Sequence, residues 1–562
     1  MRLAEHLFRR LREVGVDCTF GVPGDFVLPL YAAQAQSGMR TVVCTHEPNA
    51  AFAADAYARM RGLGVVLVTY GAGALNAVNP VAMSYAEHTP LLVLSGAPET
   101  TRRGPEIYLH HMVKSFESQL LIFKEVTVTA VALTSAETAA AEIDRVISSV
   151  MFRRRPGYLE IPRDLVNALI PGSDDVLRPF HEDTTVNAAA LNEAIAEVVG
   201  RLENAVRPVL YVGVGVRRYG LTENVVRFAE RWNLPVVSSV MGKASFPESH
   251  PQFIGVYMGA MGDQNARTLL ENSDCVLSLG VIHSDVNAGM GTSKLDEHNQ
   301  IDVDENSIRV GHHRYHDMPI SQVIRALECR VFSKAKNPMI EPCLYSAPPA
   351  AMQRGVDDPL CTAGVIELLR ELDQSKYSFL ADVGDAWFMG LELRADVFLA
   401  PGYYATMGFA VPGAVGAGIA DPRRRPLVLV GDGAFQMTGT ELATLLNQGL
   451  SPIILLLNNS CYMMLEALDA PHDYYDLKSW NYVKFAESLG CRAERATTHG
   501  MLRAAFARAE AATGPYLIEA VIDKKDLSPV MQRIQAHVQE RLRIDLSVKG
   551  NCNRDFAGDT PQ

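Results

Sequence analysis

Leu427-Val428-Leu429-Val430-Gly431-Asp432-Gly433-Ala434, followed by Ile453-Ile454-Leu455-Leu456-Leu457-Asn458-Asn459-Ser460-Cys461, decides how this chain is read. Each apolar run is strand-like, and a helix-like segment, Thr438–Gln448, lies between them. Strand, glycine turn, helix and strand make one βαβ unit with parallel strands. Ligands of an open parallel sheet bind beyond the carboxyl ends of its strands. Asp432 and Asn459 both stand at such ends, a full crossover apart, and are expected side by side. One carboxylate and one amide carbonyl are hard oxygen donors, the kind magnesium takes together with phosphate oxygens. Gly431 and Gly433 leave room for a diphosphate against the backbone, and amide hydrogens at the helix start can meet its charge. The stretch Pro426–Glu466 therefore points to a metal and a diphosphate.

A chain of 562 residues predicts several domains. Hydrophobic residues make up 48% and charged residues 21%, the balance of a globular protein with a large core. The net charge of −12 is spread along the chain and argues against nucleic acid as a partner. No run approaches the roughly 18 apolar residues of a membrane span. Met1–Arg12 carries Glu5, Arg9, Arg10 and Arg12 among apolar residues and reads as an amphipathic helix, not a signal peptide. The nine cysteines are scattered, with no Cys-x-x-Cys pair, and read as thiols of a reducing cytoplasm.

Alternating strands and helices over residues 1–170 predict a doubly wound domain. In it, Gly21-Val22-Pro23-Gly24-Asp25 leaves Asp25 at a strand end, either as an acid or as the N-cap of the segment from Phe26. The strand Thr41–Thr45 is followed by His46-Glu47-Pro48 and the Ala-rich helix Asn49–Met60. Glutamate is a poor cap, so capping explains Glu47 weakly. Ala51, Ala53, Ala54, Ala56 and Ala58 suit close packing on another element or subunit. His110-His111 adds two imidazoles, the side chain whose pKa lies nearest neutrality. Residues 171–190 read as a polar linker, 188–332 as a middle α/β domain and 333–360 as a Pro-rich linker. Residues 361–548 read as a third α/β domain and 549–562 as a disordered tail. The third domain contains the strand Phe379–Val383, then Trp387 and Phe388, then Gly402-Tyr403-Tyr404-Ala405-Thr406-Met407-Gly408-Phe409, and ends in a charged helix, Gln532–Val548. The expected class is α/β, with three doubly wound parallel-sheet domains.

Gly431-Asp432-Gly433 with Asn458-Asn459 resembles the metal–diphosphate motif of thiamine diphosphate enzymes. Asp25, Glu47 and His110-His111 together resemble the pattern of the pyruvate, indolepyruvate and phenylpyruvate decarboxylases, and the chain looks most like the bacterial phenylpyruvate and indolepyruvate enzymes. The resemblance covers nearly the whole chain in the family's domain order: pyrimidine-binding, middle, diphosphate-binding. It implies two cofactors, thiamine diphosphate and Mg2+. Asp432, Asn459 and the backbone oxygen of Cys461 would hold the metal, and Gly431, Asp432, Gly433 and Ala434 would line the diphosphate. Glu47 would bond N1′ of the aminopyrimidine. Met407 would support the bent cofactor, and the carbonyl of Ala405 would accept its 4′-amino group. Asp25, His110 and His111 would move protons at the reacting carbon as the product leaves. The implied activity is a lyase reaction, non-oxidative decarboxylation of a 2-keto acid to an aldehyde and CO2. The implied assembly is a cytoplasmic homodimer or homotetramer, with Glu47 and Asp432 meeting one cofactor across a subunit boundary.

One position departs from the pyruvate decarboxylases. Where they carry a second glutamate after the metal-binding Asn, this chain has Leu465, and Glu466 comes one step later. One step along a helix is a turn of about 100°, so Glu466 is expected to point elsewhere. An apolar Leu465 enlarges and dries the pocket, which favours a substrate larger than pyruvate, such as phenylpyruvate or indolepyruvate. Met464, Leu465, Leu468, Phe388 and Ile534 are the expected walls. Two other readings share the motifs: a carboligase of the acetolactate synthase type, which has no need of His110-His111, and a cofactor-holding regulatory homologue.

Overall fold

The structure, a computed structural model, describes residues 1–104, 108–171, 186–330, 354–469 and 472–552. Three sheets organise it. The first runs in the order Arg40–Val43, Cys18–Gly21, Gly64–Val68, Leu91–Ala97, Gly157–Pro162, Thr129–Ala132, all parallel. The third runs Phe398–Leu399, Tyr377–Ala381, Arg425–Gly431, Ile453–Asn458, Tyr516–Val521, Arg492–Ala496, again all parallel. The middle sheet is mixed. Its parallel strands end in an antiparallel edge, where Gln300–Val303 pairs Ser307–Val310 and that strand pairs His313–His316. The parallel reading holds for the rest of the sheets; at this edge tight turns join the last strands, and a short turn can only reverse the chain.

Central strands such as Leu91–Ala97 and Ile453–Asn458 are buried along their whole length because helices cover both faces. That is why they read as unbroken apolar runs instead of alternating ones. Leu427 to Gly431 pairs in register with Ile453 to Leu457, so Asp432 and Asn459 leave the sheet at one edge. The helix expected at roughly Thr438–Gln448 is shorter, Leu442–Asn447, and another precedes it. Asp432–Thr438 starts directly at the strand exit, a 3-10 turn spans Gly439–Glu441, and Leu442–Asn447 follows.

The Ala-rich helix is Glu47–Arg61, and Glu47 is its first residue. It packs against Ala410–Ala420 of the third domain in the same chain. A Cβ on Gly416 would lie 1.9 Å from the carbonyl oxygen of Ala53, so the two helices meet backbone to backbone. The linkers expected at 171–190 and 333–360 fall mostly outside the described residues. The terminal helix spans Pro529–Cys552, and the rest of the expected tail lies outside them. Cys18, Cys44, Cys275, Cys329, Cys361, Cys461 and Cys491 are free thiols. Among the described residues no helix is long and apolar enough to cross a membrane.

Candidate active site

Two clusters of chemistry stand at strand ends. In the third domain, Asp432 is 2% exposed. Its Oδ2 accepts the Ser460 amide at 2.7 Å and its Oδ1 the Gly433 amide at 2.9 Å. Burial pushes its carboxyl up to about 6, against the pull of those amides. Asn459 Oδ1 accepts the amide of Cys461 at 3.1 Å, and Asn458 instead turns to Glu519 Oε1 at 2.7 Å. The loop after the second strand therefore folds back on Asp432. One carboxylate, one amide oxygen and the backbone of Cys461 gather at one edge, an all-oxygen set that suits a hard divalent ion.

In the first domain, Asp25 opens the 3-10 turn Asp25–Val27. His110 Nε2 lies 2.5 Å from its Oδ2, and Thr69 Oγ1 donates to its Oδ1 at 3.2 Å. His111 Nδ1 donates to the carbonyl of Tyr70 at 2.9 Å and lies 3.9 Å from Asp25 Oδ1. Phe26 stacks on the His110 ring, centroids 4.8 Å apart. A Cβ on Gly71 would fall 2.0 Å from the His111 carbonyl oxygen, so only glycine lets the imidazole loop come this close. Burial raises the Asp25 pKa, but the His110 bond, the Phe26 amide and the nearby imidazoles outweigh it and hold the carboxyl below its ordinary value. Asp25 is thus a hydrogen-bonded carboxylate with two imidazoles against it, an arrangement that can store and pass a proton.

Glu47 is mostly buried, and Asn76 Nδ2 donates to its Oε2 at 3.1 Å. Asn79 Nδ2 donates to Thr406 Oγ1 at 2.8 Å, which ties the first domain to the turn that carries Ala405 and Met407. Ala405 has a left-handed backbone, φ 58°, and Met407 packs on the core shared by the first and third domains. Of the expected walls, Phe388 and Ile534 are fully buried in one core cluster, with Met464 and Leu468 packed against it. Leu465 stands apart from them and is 48% exposed. Glu466 Oε2 accepts from the Cys461 thiol at 3.0 Å and pairs with Lys524 Nζ at 3.0 Å. Those two partners hold its carboxyl below the usual range.

Sequence reasoning missed two carboxylates that hold the Met407 turn. Asp382, fully buried, accepts the amides of Gly408 and Ala410 at 2.9 and 2.8 Å, and burial pushes it up to about 6. Glu87 accepts the amides of Tyr403 and Tyr404 at 2.8 and 3.0 Å and pairs with the buried Arg59 at 2.9 Å. Asp382 directly follows the strand Tyr377–Ala381 and Glu87 caps the end of the helix Val78–Ala86; the amides they hold carry no sequence signature.

Family models match in three places: the thiamine pyrophosphate enzyme N-terminal TPP binding domain over residues 1–121, the central domain over 195–327 and the C-terminal TPP binding domain over 382–520. The chain is 38% identical over 540 residues to the indole-3-pyruvate decarboxylase of Azospirillum brasilense, covering 95% of this chain and 97% of that one. It is 31% identical over 547 residues to the alpha-keto-acid decarboxylase of Mycobacterium tuberculosis, covering 95% and 96%. It is 30% identical over 546 residues to the pyruvate decarboxylase of Neurospora crassa, covering 94% of each.

Proposed function

The chain belongs to the thiamine pyrophosphate enzymes and is a 2-keto acid decarboxylase, and from that premise we propose that it works with Mg2+ on a 2-keto acid bulkier than pyruvate, of the aromatic or long aliphatic kind. The observation that carries the substrate class is the pair Leu465 and Glu466. The Glu466 carboxylate is engaged by Cys461 and Lys524, which leaves the apolar Leu465 where the pyruvate decarboxylases keep an acid. The relative from Azospirillum brasilense, named for indole-3-pyruvate, supports the same choice.

The residues fit the cofactor. Asp432, Asn459 and the Cys461 carbonyl would hold Mg2+, and Gly431 to Ala434 would border the diphosphate. Glu47 would take N1′ of the pyrimidine, Ala405 would offer its carbonyl to the 4′-amino group, and Met407 would support the bend. Bound there, thiamine diphosphate supplies the electron sink that lets the keto acid lose CO2. Asp25, with His110 and His111 against it, would deliver protons at the reacting carbon, and the buried walls around Phe388 would exclude water.

We assign the active unit to a cytoplasmic homodimer or homotetramer whose sites are completed between subunits. Supporting this, Leu28, Tyr108 and Val113 near the Asp25 cluster and Met437, Leu465 and Trp480 near Asp432 are exposed apolar side chains in the single chain. The free thiols, one of them the exposed Cys329, suit a reducing compartment. The test is a panel of 2-keto acids with aldehyde detection, with and without thiamine diphosphate and Mg2+. Phenyl-, indole- and long aliphatic pyruvates are expected to give higher kcat/KM than pyruvate. Equal or better turnover of pyruvate would refute the pocket argument.

A further inference from the structure

We propose that Glu441, a carboxylate of the third domain, is a positioning residue for Glu47 in the first; this rests on the reading of Glu47 as the group that meets the pyrimidine. Glu441 ends the 3-10 turn that interrupts the helices after Asp432 and is fully buried. Its Oε2 accepts three hydrogen bonds: from the Thr45 amide at 3.3 Å, from Thr45 Oγ1 at 2.5 Å and from Asn49 Nδ2 at 2.8 Å. Thr45 lies just before Glu47 and Asn49 just after it, so one oxygen grips both sides of the helix start. Asn49 Nδ2 also reaches Thr45 Oγ1 at 3.1 Å, and Thr440 Oγ1 lies 3.2 Å from the same hydroxyl, which closes the clasp.

None of the three donors is cationic. A buried carboxylate met only by neutral groups is costly to keep. Joining the two domains does not require it, because Glu47–Arg61 and Ala410–Ala420 already meet along their length in an apolar core. What the carboxylate adds is direction. The hydrogen bond from Asn76 to the Glu47 carboxylate comes from within the first domain. Relative to the third domain, the place of Glu47 is therefore set by the backbone at 45–49, and Glu441 holds that backbone. Burial and the facing Glu441 carboxylate also push the Cys44 thiol well above its ordinary value, so the neighbouring thiol stays protonated.

The test is a double-mutant cycle on full-length protein. Equilibrium dialysis at saturating Mg2+ gives the thiamine diphosphate Kd for wild type, Glu441→Ala, Glu47→Gln and the double variant. Glu441→Ala is expected to raise the Kd about tenfold in the wild-type background and less than twofold when Glu47 is already Gln, as for coupled neighbours. In turnover, kcat falls while KM for the keto acid holds. Equal factors in the two backgrounds, or no change in the first, would overturn the inference alone. If wild type and Glu47→Gln bind the cofactor alike, the reading of Glu47 falls and takes this inference with it. Should Glu441→Ala not fold, Glu441→Gln keeps one acceptor oxygen; it is expected to show a smaller loss that again vanishes beside Glu47→Gln, and an undiminished loss there would overturn the inference.

Discussion

Gly416→Ala adds one methyl group where the structure has no room for it. The new Cβ would lie 1.9 Å from the Ala53 carbonyl oxygen and 2.9 Å from the Tyr57 nitrogen, both backbone atoms of the Glu47–Arg61 helix. Backbone cannot swing aside as a side chain can, so the helices must part by about 1 Å, at a cost of about 1–3 kcal/mol. The melting temperature is expected to fall by about a few degrees. The helix that moves begins at Glu47; on the role proposed for Glu47, a displacement of about 1 Å there can cost about 100-fold in rate. Gly413→Ala, on the same helix, is the control: its Cβ would first meet Leu380 Cδ2 at 3.0 Å, and a leucine methyl can yield. Thermal melts and steady-state kinetics of both variants with excess cofactor read the difference. A Gly416→Ala protein with wild-type melting and kcat would refute the idea that this backbone contact sets the position of Glu47.

Three further outcomes are expected. Asp25→Asn, which removes the carboxylate under His110, should lower kcat about 100-fold or more while thiamine diphosphate binding is unchanged; a parallel loss of cofactor affinity would count against a role confined to proton transfer. Leu465→Glu should narrow the ratio of kcat/KM for phenylpyruvate over pyruvate, and an unaltered ratio in a folded variant would remove Leu465 from the substrate pocket. In cofactor-free protein the Asp432 carboxyl, at about 6, binds a proton in competition with metal. Affinity for Mg2+ should therefore drop about tenfold per pH unit once the pH is below that value, and calorimetric titrations at pH 7 and 5 giving the same affinity would contradict it.

The Asp432–Asn459 end of the site was legible because it obeys a rule of parallel sheets. Consecutive strands in register bring their carboxyl ends together, so Asp432 and Asn459 could be paired from spacing and apolar runs alone. Helix geometry could separate Glu466 from Leu465 but not supply its partners, which are Cys461 and Lys524. His110 could not be placed against Asp25 by such means, since the sequence leading to it shows no hydrophobic period. The same limit hid Glu441, Asp382 and Glu87. Each is a buried acid whose partners lie in distant sequence, two of them holding backbone amides and the third the flanks of Glu47. The antiparallel edge of the middle sheet went unread for another reason: its strands are too short to show alternation. Leu465, expected as a pocket wall beside Phe388 and Ile534, differs from them in exposure, a distinction of packing that sequence position does not carry.

Glu87 and Arg59 have a bearing on how such a protein can be rebuilt. Both belong to the first domain, yet they hold the main chain of the third: Glu87 at the amides of Tyr403 and Tyr404, Arg59 at the carbonyl of Ala400. The segment leading to Ala405 is thereby moulded from outside its own module. A chimera that grafts the third domain onto a foreign N-terminal half would keep Gly431-Asp432-Gly433 and Asn458-Asn459 and still lose the mould, unless an acid and a guanidinium came with the graft at those two places.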